Sequence, residues 1–164
     1  MISSMTPFAL FHVLLSLVGI VSGLVVVFGL MSAKRLSSWT AIFLITTVAT
    51  SVTGFLFPFH KLLPSHVLGV LSLIALAVAI YALYSRRLAG GWRRAYVAGS
   101  VTALYLNVFV LVAQLFMKVP ALKALAPMQS EGPFKLAQLS VFMLFLVLGI
   151  FATKRFRIVE AVTI

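Results

Sequence analysis

"WTAIFLITTVATSVTGFLFPF", residues 39–59, decides whether this chain of 164 residues crosses a membrane four times or five. A helix rises about 1.5 Å per residue and bilayer hydrocarbon is about 30 Å thick, so about 20 residues suffice for a span. The stretch is long enough, but it is the most polar of five apolar runs; the others cover residues 8–31, 65–84, 94–116 and 135–153. Its threonines and serines can donate to carbonyls one turn back in their own helix, which makes them tolerable in lipid. The reading adopted is therefore an all-α membrane protein, a single integral domain over residues 1–164 built as a bundle of five transmembrane helices.

The bulk composition agrees. Hydrophobic residues make up 63% of the chain and charged residues 9%, with a mean hydropathy of +1.20. A water-soluble domain of this size carries far more polar surface, so lipid is the solvent the composition calls for. Cysteine is absent, which excludes disulfides, thiolate nucleophiles and cysteine-held metal centres. The N-terminal "MISSMTPF" has no basic residue and leads into a run of about 24 apolar residues. A cleavable signal peptide has a basic start and a shorter core, so the first run is expected to be a retained span.

The formal net charge is +11, which in a soluble protein would suggest nucleic acid as a partner. Here the cations sit at the ends of apolar runs, where they act as topology signals, and no nucleic-acid binding is expected. Lys34, Arg35, Arg86, Arg87, Arg93, Arg94, Lys154, Arg155 and Arg157 fall in alternate connections and the tail, and hence on one side. Only Lys61, Lys118, Lys123 and Lys135 fall on the other. Positive residues are retained in the cytoplasm, so the N-terminus is expected outside and the C-terminus in the cytoplasm. Trp39 and Trp92 lie at the inner interface in this arrangement, where amphipathic rings prefer to sit. Pro120 and Pro127 bracket a short apolar stretch, and residues 120–126 are expected to form an interfacial helix before the last span.

Several faces are patterned. His12, Ser16, Gly19 and Gly23 form one stripe on the first span, and Gly19 and Gly23 make a small-xxx-small pair. Thr46, Thr50 and Thr53 lie beside Thr47, Ser51 and Gly54 on the second. Ser100, Ala103, Asn107 and Gln114 share a stripe on the fourth, with Asn107 near mid-membrane. An amide there needs a partner, because an unsatisfied polar group in hydrocarbon costs several kcal/mol. Gly19, Gly23, Gly54 and Gly69 are the expected points of close helix approach.

The same topology places His12, His60 and His66 in or beside the outer leaflet. With Asn107, Gln114 and Gln138 they form the candidate ligand-binding set, lining an outward pocket for a small molecule or lipid. Imidazole also binds haem iron and copper, so the three histidines are candidate ligands for a haem or copper site. Helix packing and interfacial wetting explain the same residues without any ligand. A third reading makes the polar stripes contacts to a membrane-protein partner or to further copies in a homo-oligomeric channel.

No catalytic residue is expected. Aspartate is absent, and Glu131 and Glu160 are assigned to opposite sides of the membrane, which rules out a Ser-His-Asp triad or a carboxylate pair. No span carries Asp, Glu, Lys or Arg in its interior, which weighs against proton pumps and voltage sensors.

Five spans in a chain of this length resemble the translocator family, whose five-helix bundles bind porphyrins and sterols. The likeness lies in length and span number. That family has many tryptophans within its spans, whereas this chain has two, and no residue is carried over. The segments "TSVTGFLFP", "ALYLNVFVLVAQLF" and "LAPMQSEGPF" resemble those of small bacterial membrane proteins, which implies a bacterial inner-membrane setting.

Overall fold

The computed structural model describes residues 6–57 and 64–157. These form six helices and no strand: α1 (Pro7–Met31), α2 (Ser37–Gly54), α3 (Pro64–Ile80), α4 (Trp92–Lys118), α5 (Pro120–Leu125) and α6 (Gly132–Arg155). A π-helical turn, Tyr81–Ser85, continues α3. Capping is visible at α1, where Pro7 takes the first turn and the Thr6 side chain accepts from the Ala9 N–H at 3.2 Å.

Four segments are long and apolar enough to cross a membrane: α1, residues 66–85, α4 and α6. The second expected span, α2, falls short on apolarity, so the count of five is not met on composition. Eight of its 18 residues carry a hydroxyl: Ser37, Ser38, Thr40, Thr46, Thr47, Thr50, Ser51 and Thr53. It also ends at Gly54, five residues earlier than the sequence suggests. Phe55 and Leu56 bond to carbonyls three residues back, Val52 and Thr53, which tightens the last turn, and Pro58 disfavours helical backbone in the residue before it. The short helix expected at 120–126 is α5, begun by Pro120.

Successive long helices run antiparallel, and the contacts fix their register. Along α1, His12 meets Thr53 of α2 and Gly19 faces Thr47. Gly23 faces both Phe43 of α2 and Leu104 of α4. Helix α6 descends along α4, with Gln138 at Phe109, Gly149 at Val101 and Thr153 at Arg93. α4 is the central element and touches α1, α2, α3, α5 and α6. Tyr96, Val97, Ala103 and Leu104 of α4 are fully buried.

Small residues set the close crossings, as expected for helices that must pack without a hydrophobic drive from lipid. A Cβ at Gly23 would stand 2.7 Å from Leu104 Cδ1 and 2.8 Å from the Phe43 ring. At Gly69 it would meet Phe55 Cζ at 3.0 Å. Gly54 is looser than its spacing suggests, with only His12 Cε1 at 3.6 Å. The tightest crossing is one the sequence reading passed over. A Cβ at Gly99 would stand 2.6 Å from the Ala75 carbonyl oxygen, so α3 and α4 approach backbone to backbone. By contrast, α6 buries only Gln138, Phe145 and Ala152, and turns Leu139, Phe142, Met143, Leu146 and Phe151 outward. An apolar face of that extent needs lipid or protein against it.

The turn before α6 carries a carboxylate clamp. Glu131 Oε1 accepts from the Met128 N–H at 3.1 Å and Oε2 from the Ser130 N–H at 2.9 Å. Desolvation pulls the other way, but these backbone bonds, with the charge of Lys135, hold the carboxyl below its ordinary range. A depressed folded-state value means that the clamp contributes fully above the unfolded-state value and is lost as pH falls through the folded one. The protection of the Met128 and Ser130 amides, their exchange relative to the intrinsic rate at each pH, is therefore expected to fall on acidification below the ordinary carboxylate range. Glu131→Gln should show the reduced protection already at neutral pH.

Candidate functional site

A small, mostly apolar cavity with several polar groups in its wall opens where α1, α2, α3 and α4 meet. Its lining includes His12, Ser16, Thr50, Ser51, His66, Ser72 and Asn107, with apolar wall from Phe55, Leu68, Leu106 and Val110. Three cross-helix hydrogen bonds surround it. His12 Nδ1 lies 2.8 Å from Thr53 Oγ1 and joins α1 to α2. Ser16 Oγ donates to Asn107 Oδ1 at 2.8 Å and joins α1 to α4. Ser51 Oγ and Ser72 Oγ, 3.1 Å apart, join α2 to α3.

The hydroxyls of α2 are mostly committed to their own helix. Thr46, Thr50, Ser51 and Thr53 donate to the carbonyls of Ile42, Thr46, Thr47 and Ala49, at 2.7 to 2.9 Å. That assigns the imidazole. Thr53 spends its one proton on Ala49, so it accepts from His12, whose Nδ1 carries the hydrogen. Nε2 is left as an acceptor. Nitrogen NMR of His12 is expected to show a protonated Nδ1 and an unprotonated Nε2 at neutral pH; the opposite tautomer would break this assignment.

Asn107 is the other polar centre. It is buried, its Oδ1 is satisfied by Ser16, and its Nδ2 reaches the Ser16 carbonyl only at 3.5 Å. An amide nitrogen has two donors, so Asn107 retains donor capacity beside the cavity. Just below, the Thr47 hydroxyl is buried with no hydrogen-bond partner among the described residues. It faces Gly19, where a Cβ would lie 3.0 Å from it and 3.3 Å from Asn107 Nδ2. Gly19 thus gives α2 and α4 room to bring their polar atoms together.

Of the residues singled out from the sequence, His12, His66 and Asn107 line this cavity together. His60 lies outside the described residues. Gln138 serves a different junction: its Nε2 donates to the Phe109 carbonyl at 3.1 Å and links α6 to α4. Gln114 is half-buried farther along α4 and is not part of the lining. Among the described residues no three His, Asp or Glu side chains stand close enough to hold a metal ion. Ser51 and Ser72 were not singled out as ligand residues. A signal existed for Ser72, because His66, Gly69 and Ser72 follow at steps of three on an otherwise apolar helix.

The cavity has a volume of about 100 Å³. That is room for several water-sized groups, since one needs about 10–15 Å³. Pockets for drug-sized ligands run to about 300–1,000 Å³. Among the described residues no Asp, Glu, Lys or Arg lines it, so they offer hydroxyls, an amide and imidazoles in an apolar frame. Compared with known protein families, with curated proteins and with solved structures, the chain matches none.

Proposed function

We propose that this chain is a five-span protein of a bacterial inner membrane, with its N-terminus outside, whose outward cavity holds a small uncharged polar group. That group is a small molecule or the polar end of a lipid, bound without chemical change. The observation that carries the reading is the meeting of four helices at an uncharged hydrogen-bonding cavity lined by His12, His66 and Asn107. The volume argues against a haem macrocycle as the occupant.

The fifth span rests on how α2 spends its hydroxyls. Four of them bond to the carbonyl one turn back, which hides from lipid much of the polarity that composition alone counts. At about 1.5 Å per residue its 18 residues reach about 27 Å, close to the hydrocarbon thickness. Its register, antiparallel to α1, carries it from one end of the bundle to the other. The orientation rests on the unequal division of basic residues between the two ends.

Gly54→Leu tests the binding. Gly54 lines the cavity, and a Cβ there meets only His12 Cε1, at 3.6 Å. The variant is expected to fold as the parent does and to fill the site. Native mass spectrometry of gently purified protein should then show a small bound species on the parent and none on the variant. Equal occupancy of the two, or none on the parent, would remove the proposal. A second reading, copper(I) between His12 and His66, follows from their shared cavity; metal analysis of the parent beside His12→Ala and His66→Ala decides it.

A further inference from the structure

The opposite end of the bundle holds a cleft of a different chemistry. The turn between α3 and α4 and the end of α6 are far apart in sequence, yet together they line an open cleft of about 1090 Å³. Arg87, Arg93, Arg94, Lys154 and Arg157 stand around it. No carboxylate is among its lining residues, and Glu131, the one acidic residue described, caps α6 at the far end.

Topology signalling explains basic residues anywhere on these connections. It does not explain their convergence. Arg86, Arg155, Lys34 and Arg35 belong to the same basic set but are not in the lining; Arg86 instead lies over the Trp92 ring, 5.4 Å from its centre. The cleft is also built. Arg93 donates to the Thr153 carbonyl at 3.3 Å and ties the start of α4 to the end of α6. Arg87, Leu88 and Gly90 adopt φ of 49°, 62° and 54°. Left-handed backbone is disfavoured at Arg and Leu, whose Cβ crowds the following carbonyl. It turns Leu88 into the core, while Arg87 joins the cleft.

Arg93 and Arg94 lie in the first turn of α4, where the helix dipole already disfavours cations. The α4 dipole and five side-chain charges add to a positive field that the C-terminal end of α6 offsets only in part, with no carboxylate lining the cleft among the described residues. Arginine forks match phosphate oxygens in pairs, and basic pockets between membrane helices take phosphate-bearing headgroups.

We propose that this cleft binds a phosphate-bearing anion with more than one negative charge. The class covers an anionic lipid headgroup with two phosphates and a free diphosphate compound. The site goes beyond the outward cavity and does not depend on what that cavity holds.

The test uses the full chain in nanodiscs of neutral phosphatidylcholine, challenged separately with cardiolipin and with inorganic pyrophosphate. Arg87→Gln, Arg94→Gln and Arg157→Gln are combined in one variant. Lys34→Gln, Arg35→Gln and Arg155→Gln form a control with the same charge loss on the same set of connections. The cleft variant is expected to lose affinity for the bound anion on the order of a hundredfold, and the control to stay within a fewfold of the parent. Retention of cardiolipin but not pyrophosphate makes the ligand a lipid; saturable pyrophosphate binding makes it a free phosphate compound. Either result supports the site. Equal losses in the two variants, or binding of neither probe by the parent, overturns it.

Discussion

Gly99→Ala is expected to destabilise the bundle by about 1–3 kcal/mol, the usual range for forcing extra volume into a packed core. The added methyl would stand 2.6 Å from the Ala75 carbonyl oxygen and 3.2 Å from the Ala79 amide nitrogen and Cβ. Backbone cannot swing aside as a leucine tip can, so α3 and α4 must separate or shift. Ala79 is fully buried at this crossing, and Ser72 sits farther up the same helix. A shift of α3 would therefore also stretch the Ser51–Ser72 bond. Gly91→Ala is the matched control, because nothing lies within 4 Å of a methyl there. Unfolding titrations in mixed micelles should separate the two variants, and equal stabilities would mean that α3 and α4 do not cross as described.

Asn107→Leu is expected to act on both stability and binding. It removes the Ser16 bond that joins α1 to α4. Interhelical hydrogen bonds in membrane proteins average about 0.6 kcal/mol and reach about 1.7. The stability loss should fall in that range, because Ser16 can turn back to its own helix carbonyls. A double-mutant cycle with Ser16→Ala isolates the pair and should return a coupling of about 1 kcal/mol. The larger effect is on the cavity, which loses its amide and with it the expected occupant. Gln138→Leu offers a contrast: it breaks the α6–α4 bond to Phe109 and should leave occupancy unchanged.

Four of the five apolar runs are legible because each is a long greasy segment that needs a helix to satisfy its backbone in lipid. Hydropathy alone runs past the end of α2 at Gly54, because Phe55, Leu56 and Phe57 continue the apolar run after the helix has stopped and hydropathy does not register the turn chemistry of Pro58. The π-helical turn at Tyr81–Ser85 leaves no mark on composition. Ala95, Gly99 and Ala103 repeat at steps of four on α4, and Ala75 and Ala79, which Gly99 faces, are also four apart; the small-residue pattern marks the α3–α4 crossing in the sequence itself. The polar stripe on α1 could be read from spacing, and so could Asn107's need for a partner. That Ser16 is the partner could not, because helix adjacency is a property of the folded bundle. For the same reason spacing alone groups Gln138 with the histidines, although α6 carries it to another junction.

The chain has no cysteine, so single cysteines can report which side of a membrane each turn faces. Lys34→Cys and Leu56→Cys flank α2, and both positions are exposed. With the protein in intact cells, a membrane-impermeant maleimide is expected to label Leu56→Cys directly and Lys34→Cys only after the membrane is opened. That result makes α2 a crossing helix and places the His12 and Asn107 cavity toward the outside. Labelling of both positions from the same side would contradict it, leaving four spans and an orientation that the basic residues do not set.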